Sequence, residues 1–221
     1  MNKLNTISFL VLILAGCVSP PPTYDYTSFR NAAPNSVLIL PPINNTNEIL
    51  APYGLMSQLT RPIAESGYYV FSPSLVEKTF INNGLNVAQD VHNVPIDKLH
   101  SIFGADTALY INIEEYGTSY VVISSETVVV ASAKLVDLRS GELLWNGNAR
   151  ASSAETRGNS GGLAGMLIQA ALSQIIETIS DKGFDISAIA ANRLVSSTTY
   201  NGFLYGPRSP KYGQPALSEK K

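Results

Sequence analysis

A serine in a glycine-rich segment is the first candidate for chemistry in this chain of 221 residues. The segment 158–162, Gly-Asn-Ser-Gly-Gly, fits the G-x-S-x-G pattern that presents a nucleophilic serine between a strand and a helix. Such a serine needs a histidine to take its proton and a carboxylate to orient that histidine. The chain has two histidines, His92 and His100, and both precede Ser160. Hydrolases with this elbow place the histidine last, so the order of residues contradicts that assignment.

The order histidine, aspartate, serine is still open, with Asp106 or Asp137 as the aspartate. That order belongs to proteases built from two β-barrels, and the helical patterns of this chain do not fit such a fold. We therefore interpret 157–162 as a flexible loop that leads into a helix. We expect no catalytic residue, and a serine hydrolase is the least favoured of the functions considered.

The sequence predicts no metal, cofactor or small-molecule site. His92 and His100 are eight residues apart, whereas ligands on one helix face lie three or four apart, as in H-E-x-x-H. Glu114 and Glu115 are neighbours in a predicted strand and should point to opposite faces of the sheet. The sequence has no G-x-x-x-x-G-K-[ST] segment for binding phosphate.

Cys17 is the single cysteine, and the sequence predicts that it is chemically modified. The apolar run 7–16 before it is shorter than the roughly 20 residues that a transmembrane helix needs. A polar start, a short apolar run and small residues at its end are typical of a signal peptide, here over 1–16. The ending Leu-Ala-Gly-Cys over 14–17 resembles a bacterial lipobox, whose cysteine receives lipid on its thiol. We expect palmitate on Cys17, as a firm membrane anchor.

The neighbours of Cys17 also indicate where the protein resides. Val18 and Ser19 follow the cysteine, so no aspartate retains the lipoprotein at the inner membrane. We expect the outer membrane, with the domain on its periplasmic side. Residues 17–35 are rich in Pro, Asn, Ser and Tyr and lack periodicity, so we interpret them as a lipidated tether. The formal net charge of −2 and the absence of a basic patch argue against a nucleic-acid partner.

The elements that would position these residues alternate between strands and helices. Apolar runs and turn signals predict strands over 36–40, 68–71, 107–114, 118–138 (one or two) and 143–151, and helices over 53–65, 73–82, 95–103, 163–180 and 185–194. This order favours an α/β fold, a two-layer sandwich with a mixed β-sheet and helices packed on one face. We place the periplasmic domain at 36–197 and an irregular C-terminal tail at 198–221.

The predicted helix over 163–180 has an unusual apolar start. Most of its apolar residues recur at helical spacing and form one face for the sheet, but Leu163, Met166 and Leu167 project to the polar half. The first turns are therefore apolar all round and need a second surface to bury against. We predict that these three residues form an interface for self-association or for a partner lipoprotein. Burial under the tail or the last helix is the alternative.

Four segments together resemble one protein family. They are Val37–Thr46, Gly104–Tyr110, Asp137–Trp145 and Leu204–Pro210. With the lipobox, they make the chain similar to bacterial outer-membrane lipoproteins of unknown function that are encoded beside homologues of the curli secretion channel. The first three segments are shared more loosely with the curli channel lipoprotein, with activator lipoproteins of peptidoglycan synthases and with the amino-terminal domain of the Tol translocation protein.

The resemblance implies an α/β domain that binds protein partners, and it implies no reaction. One function is a structural subunit of an outer-membrane lipoprotein assembly related to curli-type secretion, with a curli-channel homologue as partner. The alternative is a regulator of a cell-wall synthase or another envelope enzyme. A tether of about 17 residues reaches no more than ~60 Å, which favours the first function. Pore formation is not implied, because 120–131 is too short for two membrane hairpins.

Overall fold

The fold is that of a computed structural model, which describes residues 24–121, 124–156 and 182–219. In these ranges no helix has the length and apolarity needed to cross a bilayer. The helices and strands, numbered in chain order, are α1 Thr27–Ala32, β1 Ser36–Ile39, β2 Ile43–Asn44, α2 Ala51–Glu65, β3 Tyr69–Val70, α3 Pro73–Asn82, α4 Ala88–His92, α5 Ile96–Phe103, β4 Thr107–Val121, β5 Ser124–Asp137, β6 Leu143–Ser152 and α6 Lys182–Val195. Two short 3-10 helices, Ser153–Thr156 and Leu217–Glu219, complete the described elements.

The strands form one mixed sheet, as predicted. The strand order is β3-β1-β4-β5-β6, and β2 pairs with β4 beyond the end of β1. β1 is parallel to β3 and β4, whereas β4, β5 and β6 form an antiparallel meander. Pro41 and Pro42 separate β1 from β2, because proline has no N–H to donate to a ladder. The predicted strand region 118–138 supplies the end of β4 and all of β5.

Helices lie on both faces of this sheet rather than on one. α2 and α6 pack together and cover the face formed by β4, β5 and β6. On the other face, buried side chains of α3, α4 and α5 pack on β1. The cause lies in β1, where Val37, Leu38 and Ile39 are all completely buried. A strand that is apolar on both faces needs cover on both.

Two segments that we expected outside the domain are packed into it. Tyr26 and Phe29, in the expected tether, are buried, and so is Phe203 in the expected tail. The ring of Phe203 lies 4.7 Å from that of Trp145 and 5.9 Å from that of Phe29, measured between centroids. The core of the domain therefore includes Tyr26 and Phe29 of the expected tether and Phe203 of the expected tail.

Three buried side chains hold the C-terminal segment by its backbone. Burial raises the pKa of Tyr26 to about 12 and also raises the pKa of Tyr68, so both phenols stay protonated donors. The segment that they hold contains Gly202. A side chain at this position would clash, because a Cβ atom would lie 1.9 Å from the Ser196 carbonyl oxygen. The three bonds, each 2.7 Å long, run from Trp145 Nε1 to the Asn201 oxygen, from Tyr26 Oη to the Gly202 oxygen and from Tyr68 Oη to the Leu204 oxygen.

Candidate protein-binding groove

The two histidines of the serine hypothesis are bonded to backbone carbonyls. His92 Nε2 donates to the Pro41 oxygen at 3.0 Å, and His100 Nδ1 donates to the Ala105 oxygen at 2.8 Å. Burial lowers the pKa of His92 from its usual 6.5, and the bond to Pro41 opposes this only in part. The His92 ring also packs edge-on against Tyr110, with centroids 5.2 Å apart. Both imidazoles thus connect loops to the body of the domain.

The two candidate aspartates accept hydrogen bonds from backbone N–H groups. Asp106 accepts from the backbone N–H of Asn35 at 2.9 Å, next to the start of β1. Asp137 accepts from the N–H groups of Arg139 and Ser140 at 2.9 and 2.8 Å, in the turn before β6. Burial acts to raise the pKa of Asp137, but these bonds and the Arg139 side chain together lower it. Both carboxylates thus have structural partners.

Several residues singled out in the sequence lie outside the described ranges. They are Cys17, Ser160, Leu163, Met166 and Leu167. The lipid anchor and the helix interface therefore stay predictions. Within the described residues, no group of three or more His, Cys, Asp or Glu side chains is placed to hold a metal ion.

A groove of about 870 Å³ lies along β6. One wall is formed by exposed or half-buried residues of the sheet, which alternate along β4 and β5 with core residues and include Tyr110, Asn112, Ser132 and Lys134. The other wall is formed by Tyr24, by the end of α6 and by the segment that follows α6. The side chains with polar atoms that line it include Tyr24, His92, Tyr110, Asn112, Ser132, Lys134, Asn146, Asn148, Arg193, Thr199, Tyr200 and Asn201.

β6 is an edge strand within the described sheet, and one side of its backbone faces away from β5. The N–H of Asn146 donates to the Tyr24 hydroxyl at 3.0 Å, and the C=O of Arg150 accepts from Arg193 Nη1 at 2.7 Å. Along an antiparallel strand, the N–H and C=O groups of successive residues point alternately to the two sides of the strand. The N–H and C=O groups of Asn146, Asn148 and Arg150 therefore all point away from β5.

Four of these six outward groups have no hydrogen-bond partner among the described residues. They are the C=O of Asn146, both groups of Asn148 and the N–H of Arg150. All three residues are exposed. Unpaired edge groups of this kind are a template for pairing with another strand.

The side chains that bond the two ends of this stretch are fixed by contacts of their own. Arg193 also forms a two-pronged ion pair with Glu155, with N–O distances of 2.7 and 3.2 Å. The bond from Arg193 holds the pKa of Glu155 below its usual value, against a smaller opposing effect of burial. The Tyr24 ring lies 4.9 Å from that of Tyr26, and burial raises its pKa. Tyr24 and Arg193 therefore delimit a short open stretch, which we call the β6 edge (residues 146–150).

The β6 edge has little side-chain bulk. Gly147 permits the Trp145 ring to lie over the strand, because a Cβ atom there would come within 2.3 Å of that ring. Ala149 follows on the same face, and Asn148 stands between them on the other. Edge strands are commonly protected by proline, bulges or charged side chains. Arg150 is the one charged residue of this stretch, so the β6 edge can accept an extended backbone.

This site was not foreseen from the sequence. The strand over 143–151 was predicted, but nothing in its own residues says that it lies at the edge of the sheet. The bonding side chains come from Tyr24, 122 positions from Asn146, and from Arg193, 43 positions from Arg150. Contacts between residues so far apart in the sequence leave no local pattern in it. The small side chains of Asn-Gly-Asn-Ala over 146–149 are the one feature of this site that the sequence shows.

Comparison with known proteins gives a consistent family. Residues 24–208 match the family model described as "Putative lipoprotein GNA1162-like". A protein of Neisseria meningitidis serogroup B described as a "Putative lipoprotein" is 44% identical over 199 residues, which are 90% of this chain and 92% of that protein. The crystal structure of lipoprotein GNA1162 from Neisseria meningitidis is 43% identical, with a TM-score of 0.53. The structural match covers 66% of this chain and 100% of the crystallised GNA1162 chain.

Proposed function

The chain belongs to the GNA1162-like lipoprotein family, and from this premise we propose that it is a non-catalytic structural subunit of an outer-membrane lipoprotein assembly. Lipid on Cys17 anchors it, and its domain faces the periplasm and binds protein partners there. A relation of this assembly to curli-type secretion is part of the proposal. The observation that carries it is the β6 edge, a row of unpaired backbone groups in an open groove.

A strand edge favours a protein partner over a small substrate. Backbone N–H and C=O groups in a row are matched by the backbone of another extended chain, which adds to the sheet as a strand. Beside the edge, Asn146 and Asn148 offer amide groups that can both donate and accept hydrogen bonds. His92, the histidine that lines the groove, is bonded to the Pro41 carbonyl.

The position of Tyr24 favours assembly at the membrane over regulation across the periplasm. Tyr24 already lies in the groove, seven residues after Cys17. A fully extended chain of this length spans at most ~25 Å. The free tether is therefore much shorter than the ~60 Å estimated for 17 residues, since Tyr26 and Phe29 are part of the core. A regulator that must reach the inner membrane needs a longer one.

Mild crosslinking of intact envelopes followed by affinity purification tests this function. The bait is the full lipidated chain, and the test variant is Asn148→Lys, which places a charge on the β6 edge. Asn82→Lys is the matched control, because it makes the same change at an exposed asparagine of α3. We expect an outer-membrane lipoprotein homologous to the curli channel with the wild type and the control, and less of it with Asn148→Lys.

Two results would contradict the proposal. Recovery of a cell-wall synthase instead of an outer-membrane lipoprotein would support the regulatory alternative. Labelling of Ser160 by a fluorophosphonate probe, with loss of an envelope phenotype in Ser160→Ala, would support a hydrolase.

A further inference from the structure

We propose that the β6 edge pairs with the β6 edge of a second copy of this chain, antiparallel and centred on Asn148. This inference rests on the proposed function and names one partner of the assembly. It extends the sheet of one copy into the sheet of the next, with a two-fold axis at Asn148.

The unpaired groups of the β6 edge are complementary to themselves. In an antiparallel pair, two facing residues of the hydrogen-bonded type exchange both of their N–H···O bonds. With Asn148 facing its own copy, its free N–H and free C=O satisfy each other twice. Two residues away, Arg150 faces Asn146 of the second copy, so the free N–H of Arg150 meets the free C=O of Asn146. All four open groups of each chain find partners.

The two bonded groups at the ends fit the same register. The N–H of Asn146 would face the C=O of Arg150 in the second copy. In the single chain these are the two groups that bond the Tyr24 hydroxyl and the Arg193 guanidinium. Tyr24 and Arg193 therefore satisfy, in the monomer, the two groups at the ends of the proposed pairing. The four open groups can pair while Tyr24 and Arg193 keep their bonds, and pairing along the whole edge exchanges these two side-chain bonds for backbone bonds.

The side chains also suit a two-fold axis at Asn148. Gly147 of one copy faces Ala149 of the other, and facing residues of this non-bonded type approach most closely, at about 4.5 Å between Cα atoms. On the other face, Asn148 meets its own copy, and two amides can bond each other as donor and acceptor. Any extended chain can match the open backbone groups, and the small residues at 147 and 149 together with the paired amides at 148 are what favour a second copy.

Cysteine crosslinking in intact envelopes tests the register. The thiol of Cys17, the single native cysteine, is blocked when it carries lipid, so a cysteine introduced by Asn148→Cys is the one free thiol of the lipidated chain. Facing Cα atoms of the hydrogen-bonded type are about 5.5 Å apart, which suits a disulfide. We expect mild oxidation of the full-length Asn148→Cys protein to give a disulfide-linked dimer.

Matched variants on the same strand distinguish this register from random collision. In Asn146→Cys alone, or Arg150→Cys alone, the two cysteines of a dimer lie four residues apart along the strand, about 14 Å. That exceeds the roughly 7 Å limit for a disulfide, so neither single variant should crosslink. Chains with Asn146→Cys and chains with Arg150→Cys, expressed together, should crosslink to each other. This pair also tests the register without a change at Asn148.

The outcomes separate this inference from the proposed function. Dimers from Asn148→Cys and from the mixed pair, with none from the single controls, support it. Equal crosslinking of all three single variants, or none from Asn148→Cys and the mixed pair, overturns it. If pairing fails while the envelope experiment still captures a channel homologue through the β6 edge, the proposed function stands. If pairing succeeds while no other lipoprotein is captured, the assembly consists of copies of this chain, and the proposed relation to curli-type secretion fails.

Discussion

Removing the ring of Phe203 tests whether the C-terminal segment is part of the core. This ring is 2% exposed and touches three other aromatic rings, those of Phe29, Tyr68 and Trp145, at centroid distances of 4.7 to 6.1 Å. Truncation of a buried phenylalanine to alanine costs about 3–5 kcal/mol, since it loses transfer free energy and leaves a cavity. The whole free energy of unfolding of a domain is about 5–15 kcal/mol. We expect Phe203→Ala to remove a large part of it.

Denaturant unfolding of the full-length lipidated protein in detergent measures this loss. Trp145 is the single tryptophan, and its indole bonds the Asn201 carbonyl beside Phe203, so its fluorescence reports on this region. The midpoint should fall in Phe203→Ala with an unchanged dependence on denaturant. Tyr212→Ala is the control, because this aromatic residue of the same segment is 54% exposed. Such surface changes stay within about 0.5 kcal/mol. A loss below about 1 kcal/mol in Phe203→Ala would refute the assignment of this segment to the core.

Three further predictions concern pH, lipid and the predicted helix. The pKa of His92 in the folded protein is below its unfolded value of about 6.5, so the unfolded chain binds a proton first as the pH falls. The free energy of unfolding therefore decreases below that pH, by up to ~1.4 kcal/mol per pH unit. The thermal midpoint should fall between pH 7 and 5 and fall less in His92→Gln, and equal slopes would contradict this. Cys17→Ala should abolish palmitate labelling, and inner-membrane fractionation of the wild type would refute outer-membrane sorting. Leu163→Asp with Leu167→Asp should weaken association in sedimentation, and unfolding instead would mean that these residues are core.

The sequence predicted the strands best where apolar runs and turn residues decide the local structure. The apolar run of β1 predicted a buried strand. The strands predicted over 118–138 and 143–151 are paired in the structure as β5 and β6, and Gly141 in the turn between them has a positive φ. The completely buried faces of β1 also contained the reason for helices on both sides of the sheet.

The N-terminal and C-terminal segments could not be placed from the sequence. Tyr26 lies in a stretch rich in Pro, Asn, Ser and Tyr, and Phe203 lies in one rich in Pro, Gly and Tyr. In neither stretch does a helical or strand period show which side chain is buried. Their burial depends on contacts between distant parts of the chain, such as the bond from Tyr26 to Gly202, 176 residues away. For the same reason the β6 edge could not be predicted, since the order of strands in a sheet is a tertiary property.

Photo-crosslinking from position 148 in living cells tests the central claim most directly. A photoreactive phenylalanine analogue replaces Asn148 in the full lipidated chain, and Arg61, an exposed residue of α2, is replaced in the control. We expect the analogue at position 148 to form covalent adducts with protein of the outer-membrane fraction. Mass spectrometry should identify the adduct as a second copy of the chain or a partner lipoprotein. Position 61 should give neither adduct. Equal adducts from both positions, or none from position 148, would contradict the claim that the β6 edge binds protein in an outer-membrane assembly.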